Sequence, residues 1–156
     1  QKRFVLAFFS PIKLYRLTYK NRDRVEGFSR MSAHPLVVDD VEFPCLELAL
    51  LAKKFPSHLQ EFVALSDDAC VEDIVRRKRK QQSPVSDWTR VRKSVLDELT
   101  FLKFEQHPHL KENLLRSGLR PIILLSRMAF TWLDGTGDNV TGEALMTTRK
   151  KIMHDN

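Results

Sequence analysis

Hydrophobic and polar positions repeat along this chain with more than one period, and each period predicts a different element. Arg3 to Phe9 ("RFVLAFF") and Pro11 to Tyr19 ("PIKLYRLTY") have the aromatic and β-branched content of strands, separated by the Ser10-Pro11 break. A polar turn over Asn21-Arg22-Asp23-Arg24 and an irregular passage over Gly27 to Met31 follow, and irregular backbone is a frequent place for sites. Leu36-Val37-Val38 and Val41-Glu42-Phe43 then flank Asp39-Asp40, the pattern of a short hairpin.

The next stretch, "CLELALLAKKF", is the most core-like helix of the chain, with Pro44 expected at its first helical position and Pro56 closing it. Ser57 with Gln60 predicts a capping box for a second helix through about Leu65, and Ser66 or Asp67 caps a third that runs to about Arg77. From Trp88, the positions Val91, Val95, Leu99 and Leu102 recur at helical spacing with charges between them, which predicts a long amphipathic helix to about Gln106. A shorter helix over Pro108 to Arg116 stops at Ser117-Gly118, and Pro121 to Leu125 has the length and apolarity of a buried strand. Three of the five glycines then fall within eight residues, before a last helix from about Glu143. A Gly-rich turn entering a helix offers backbone N–H donors to anionic ligand groups, although the spacing is neither a P-loop nor a GxGxxG fingerprint.

Composition narrows the class. At 156 residues, 42% hydrophobic and 29% charged, the chain has the make-up of one globular domain, and no apolar run approaches the roughly 20 residues a membrane helix needs. It opens on Gln1 rather than Met, as an excised domain or processed chain would, and shows no signal peptide. Two cysteines, Cys45 and Cys70, without CxxC spacing, suit a reducing, intracellular compartment, cytoplasm or nucleus. The net charge of +6 is concentrated in Arg76, Arg77, Lys78, Arg79 and Lys80, with Arg90, Arg92 and Lys93 nearby. Such a surface attracts phosphates, and nucleic acid is a candidate partner; a solvated helix face, or a helix docking an acidic protein, is the alternative.

Among residues able to carry chemistry, Glu47 and Lys54 stand seven apart on the apolar helix and share a face to within about 20°, whereas Lys53 points away. A lysine on an apolar helix resists charging, so its amine is expected to act as a nucleophile toward a sugar carbon or carbonyl. The same two charges also complement the helix dipole, and spacing alone leaves both readings open. Trp88 and Trp132 each sit at the edge of an element beside polar residues, placed either to stack on a flat base or to fill the core. His107-Pro108-His109 lacks further ligands at metal-binding spacing and reads as a surface loop. No GxSxG, HExxH or Cys/His nucleophile signature occurs, and no metal or cofactor is expected.

Taken in order, "FSRMSAHPLVVDDVEFPCLELALLAKKF", "DWTRVRKSVLDELTFLKFEQHPHLKENLLRSG" and "TWLDGTGDNVTGEALMTTRKKI" resemble the NADAR, or YbiA-like, family of N-glycosidases over nearly all of Phe28 to Ile152. The match keeps Ser29, Pro44, Glu47, Ala52, Lys54, Phe55, Trp88, Lys103, Phe104, Gly118, Trp132, Gly135, Asn139, Gly142, Leu145, Met146 and Arg149. The resemblance implies cleavage of an N-glycosidic bond at a ribose C1′, in ADP-ribose attached to guanine or in a ribosylated riboflavin precursor. It implies Lys54 as the nucleophile that forms a Schiff base, and Glu47 as the group that moves protons or holds ribose hydroxyls. Ser29, Arg30, Trp88, Trp132, Gly135 and Asn139 would bind the ligand, and the run from Arg76 to Lys80 would face nucleic acid. The chain departs from the family's pattern at Arg30, where asparagine is usual, at Leu51, where a polar residue is usual, and at Leu124, Ala129 and Leu133. These departures cut against the riboflavin-precursor branch. They leave an ADP-ribosyl-guanine hydrolase, or a module that binds ADP-ribose or nucleic acid without turnover.

The expected fold is α+β: a compact, mostly helical single domain with a few short strands over residues 1–156. Its opening strands and loop occupy 1–26 and its family-like core 27–152. The oligomeric state is not legible in the chain.

Overall fold

The computed structural model describes residues 27–64, 83–123, 132 and 137–155. The expected opening strands, the third helix with its basic run Arg76 to Lys80, and Gly135 lie outside the described residues.

Strands β1 (Leu36–Val38) and β2 (Val41–Phe43) form an antiparallel hairpin with Leu36 opposite Phe43 and Val38 opposite Val41. Leu36 and Val38 are buried while Val37 between them is exposed, the period-2 alternation the sequence shows. The two-residue turn has φ of 50° at Asp39 and 63° at Asp40, the left-handed pair that matches strand twist in a tight hairpin. Aspartate tolerates that region better than most residues.

Helix α1 (Leu46–Lys54) follows. Every residue from Leu46 to Ala52 is buried and all of them but Glu47 are apolar, as expected of a helix surrounded on its sides. Its start differs from the expected one: Pro44 precedes the helix and Cys45, in extended backbone, occupies the N-cap without a side-chain bond. The Glu47 N–H instead donates to Arg30 O at 2.9 Å, so a distant loop satisfies one of the orphan donors of the first turn. At the other end Lys54 O accepts from Val85 N at 3.2 Å, and Pro56 leads into a 3-10 turn, Pro56–His58.

Helix α2 (Leu59–Val63) begins after that turn with His58 at its N-cap and no side-chain capping bond. The capping box expected from Ser57 and Gln60 is thereby corrected, because the Pro56 turn places Ser57 inside a 3-10 turn rather than ahead of a helix. Helix α3 (Trp88–Gln106) has the bounds its pattern predicts, but its buried side chains are Trp88, Leu96, Leu99, Thr100, Lys103 and Phe104. Val91, Val95 and Leu102 lie on the margin of that face, partly buried against the core.

Helix α4 (Pro108–Arg116) carries proline in its first turn and ends before Gly118, whose φ is +59°. Residues 121–123, expected to open a strand, have no strand structure, although Ile122 is fully buried. Ile122 O accepts from Asn139 Nδ2 at 2.8 Å, a bond that anchors the segment to the start of the last helix. That helix, α5 (Val140–Asp155), starts three residues earlier than its sequence pattern suggests. A Cβ on Gly142 would fall 2.3 Å from Ile122 O, so only glycine lets the helix approach this segment.

Helix α3 is the axis of the fold, packed against α1, α4, α5 and β1. One core surrounds α1 and the hairpin, and a second joins Phe28, Phe104, Leu110, Leu114, Ile122, Leu145 and Ile152 between α3, α4 and α5. The architecture is the expected one: mostly helical with a short two-stranded sheet. No described helix is long and apolar enough to cross a membrane.

Candidate active site

Three parts of the chain converge at the C-terminal half of α1. The loop 27–32 supplies Arg30, α1 supplies Leu50, Leu51 and Lys54, and the first turns of α3 supply Trp88 and Arg92; with Trp132 they line a small pocket. Its volume is about 10 Å³, room for about one water. A second cavity of about 310 Å³ shares Arg92 and Trp132 with it and continues past Lys93 to Gly137, Asp138 and Glu143, near the start of α5.

Lys54 is half-buried, with Nζ 5.2 Å from the Phe55 ring centre and 5.9 Å from that of Trp88. Arg92 lies over Trp132 with its guanidinium carbon 4.8 Å from the ring centre, a geometry in which the flat cation and the indole hold each other. Lys53, one residue before Lys54, is exposed and pairs with Asp39 of the hairpin turn at 2.5 Å. The two lysines therefore separate as the helical geometry predicts.

Glu47 is fully buried, and Arg30, 3% exposed, stands beside it with Nε 2.9 Å from Oε2. The pairing is Coulombic rather than a well-aligned hydrogen bond, and Glu47 Oε1 makes no hydrogen bond among the described residues. Arg30 thus reaches two places, the pocket wall and the buried carboxylate. Glu47 itself is not among the residues lining the pocket.

Of the other residues singled out in the sequence, Trp88 and Trp132 line the pocket, Trp88 buried and Trp132 partly so. Ser29 lies in the loop, where its Oγ accepts from Met31 N at 3.1 Å, and is not a lining residue. Asn139, at φ +50°, donates its amide to Ile122 O and lines neither cavity. Leu51, which replaces the family's polar residue, is in the pocket wall and 1% exposed.

Sequence reasoning did not select Arg92 for the site, although it lies one turn after Trp88 on the same helix face. Lys103 is among the positions the family resemblance keeps, but the sequence assigned it no role. Counting from Leu96 and Leu99 in steps of three and four places Lys103 on the buried face of α3, and its side chain is 1% exposed. Burial brings its ammonium down to about 7, against an opposing effect from Cys45. The same burial, together with the approach of Glu47, pushes the Cys45 thiol up to about 11.

The histidines differ from the expected surface loop. Pro108 and His109 belong to α4, His107 Nε2 lies 2.6 Å from Pro35 O, and both rings pack against His34 at centre distances of 5.4 and 5.6 Å. Among the described residues no group of His, Cys, Asp and Glu is arranged to hold a metal ion.

The described residues thus form a mostly helical domain in which a buried apolar helix brings one lysine to a pocket lined by two tryptophans, with a buried glutamate about two turns earlier on the same helix. The NADAR domain family model matches residues 17–153, and the chain belongs to that family. It is 27% identical over 140 residues to "N-glycosidase YbiA" of Escherichia coli strain K12, covering 86% of each chain, and 27% identical over 139 residues to the protein of that name from Shigella flexneri, with the same coverage. The NMR structure of the E. coli protein YbiA superposes with a TM-score of 0.75 at 23% identity, over 94% of this chain and 89% of that one, which shows the shared fold.

Proposed function

We propose that this chain is an N-glycosidase that cleaves the C1′ N-glycosidic bond of ADP-ribosylated guanine, in nucleotide or nucleic acid, with Lys54 as nucleophile. The observation that carries the reading is the placement of Lys54: half-buried, against Trp88, in a pocket it shares with Trp132 and two guanidinium groups. An indole wall suits a flat base, and Arg30 and Arg92 suit the negative charge of a pyrophosphate. The relatives named N-glycosidase support the reaction class.

The reaction runs as follows. The Lys54 free amine attacks C1′, the bond from C1′ to the guanine nitrogen breaks, and that nitrogen leaves with the electron pair and takes a proton. The glycosylamine loses its N–H proton as the ring C1′–O bond opens, giving an imine and a ribose hydroxyl. Water adds to C1′, the C1′–Nζ bond breaks, and ADP-ribose leaves with Lys54 restored. Arg30 and Arg92 hold the anion, and Glu47 orients Arg30 from behind.

One observation favours a second reading, a module that binds ADP-ribose without turnover. The inner pocket is far below the few hundred Å³ that ligand sites commonly offer, and Leu50 and Leu51 form part of its wall; the cavity beyond Trp132 is large enough. A riboflavin-precursor substrate fits this apolar wall less well, since a buried polar group left unpaired costs about 1–3 kcal/mol. Nucleic acid, through the basic run Arg76 to Lys80, and an intracellular setting belong to the proposal with the guanine substrate.

The test is incubation with ADP-ribosylated guanosine in the presence of borohydride. Release of ADP-ribose and a reduced adduct on Lys54, both lost in Lys54→Ala, is the expected result. Equal release by wild type and Lys54→Ala overturns the lysine mechanism, and calorimetric binding of ADP-ribose without release selects the binding module.

A further inference from the structure

Lys103 projects from the inner face of α3 and donates to three oxygens of a single loop: Gly27 O at 2.5 Å, Ser29 O at 2.8 Å and Ser32 Oγ at 2.6 Å. Those acceptors lie 71 to 76 residues away in the chain. Ser32 Oγ lies 2.9 Å from Ser29 O and 3.2 Å from Gly27 O, so the loop also closes on itself around the ammonium. The residue it encloses is Arg30, whose carbonyl accepts from Glu47 N, whose guanidinium stands against Glu47, and which lines the Lys54 pocket. Lys103 is not itself a lining residue.

A loop without regular structure, held in the interior, needs donors for its carbonyls, and a lysine stem is long enough to bring three donors from a neighbouring helix to one point. A shorter polar residue at this position would leave some of those oxygens without a donor. The observed arrangement couples the inner face of α3 to the pocket through Arg30.

We propose that Lys103 is a positioning residue of the active site: by gathering three oxygens of the 27–32 loop it sets where Arg30 stands against Glu47 and in the wall of the Lys54 pocket. The kinetic part of this proposal rests on the glycosidase reading; the positional part does not.

The clamp closes in either protonation state. As an ammonium, Lys103 gives one N–H to each oxygen and the Ser32 hydroxyl donates back into the loop. As an amine, it gives its two N–H groups to Gly27 O and Ser29 O, and its lone pair accepts from Ser32. Its titration near 7 is felt by His34 on the loop side and by Cys45 at the head of α1; Arg30 and Glu47 are the charged pair that the loop holds between them.

The experiment compares wild type, Lys103→Met and Ser32→Ala by NMR of the Arg30 Nε–H signal and by kcat and KM on ADP-ribosylated guanosine. Lys103→Met is expected to move the Arg30 signal toward that of a free guanidinium, to lower kcat on the order of 10²-fold through misplacement at the reacting centre, and to raise KM because Arg30 holds the substrate's anion. Ser32→Ala is expected to cause a smaller displacement and a lower titration midpoint for the Lys103 side-chain signals, because the ammonium loses more than the amine does. A Lys103→Met protein with the wild-type Arg30 signal and wild-type kcat overturns the proposal, since a lysine that merely supports the fold would change the melting temperature alone. If Lys103→Met does not fold, Ser32→Ala decides by the same readouts, and an unchanged Arg30 signal and midpoint overturn it. If wild type has no turnover, the glycosidase reading falls and the Arg30 signal by itself decides the positional claim.

Discussion

Arg30 Nε stands 2.9 Å from Glu47 Oε2 in the interior of the domain, with the arginine 3% exposed and the glutamate fully buried. A carboxylate taken out of water in this way depends on the cation beside it, because removing one partner of a buried pair commonly costs about 3–5 kcal/mol while replacing both by apolar groups is often neutral. Arg30→Met should therefore lower the unfolding free energy by about 3 kcal/mol in urea titrations, and Arg30→Met with Glu47→Leu should recover most of it. Additive losses would mean that the two residues do not work as a pair.

Lys54 presents the opposite case. It is half-buried and its described ring contacts are the cation–π approaches to Phe55 and Trp88, worth about 0.5–1 kcal/mol at partly exposed sites. Lys54→Ala should unfold at nearly the wild-type temperature while losing the borohydride-trapped adduct. A collapse of thermal stability would assign the lysine to the scaffold instead.

Acid should weaken the fold through His34. Burial first, then the charges of Lys103, His107 and His109, lower its pKa from 6.5 to about 4. The unfolded chain therefore binds a proton that the folded one refuses, so stability present above about 6.5 falls as the pH drops toward 4. The ring keeps contact with solvent, which reduces the effect to about 1 kcal/mol. Urea midpoints at pH 7 and pH 4.5 should show this decline, and His34→Asn should flatten part of it.

Gly142→Ala tests the approach of α5 to Ile122. The added methyl would meet a backbone carbonyl and the Asn139 side chain at 2.3 Å, and a carbonyl cannot turn aside as a flexible side chain would. A loss of about 2–3 kcal/mol is expected from overpacking, although alanine is otherwise the better helix former. Gly118→Ala, with open space around it and φ +59°, should cost only about 1 kcal/mol from the left-handed backbone. Thermal melts that rank the two variants the other way would refute the packing account.

Local pattern carried much of this architecture. The hairpin at Asp39-Asp40, the span of α3 and the span of α4 between Pro108 and Gly118 are all legible because turn chemistry, helical spacing and stop signals are short-range. The separation of Lys53 from Lys54 is legible for the same reason: seven residues are almost two helical turns, so Glu47 and Lys54 must share a side of α1. What local pattern missed is equally specific. Residues 121–123 are as apolar as a strand, yet Ile122 is buried in irregular backbone that Asn139 holds by a side-chain bond. The Ser57 and Gln60 pairing had the right spacing, but the turn after Pro56 removed its geometry.

The site divides along the same line. The chain by itself determined that α1 would be the most core-like helix, that Lys54 and Glu47 would lie on one side of it, and that the family's pattern would run through both, because these follow from periodicity and residue order. Only the tertiary structure decided that Glu47 would be sealed behind Arg30, that Trp88, Arg92 and Trp132 would meet Lys54, and that Lys103 would hold the loop carrying Arg30. Those relationships join residues 17 to 78 positions apart in the chain, and their partners are selected by which groups share a low-dielectric interior, where a charge or carbonyl must find its counterpart or be left unsatisfied.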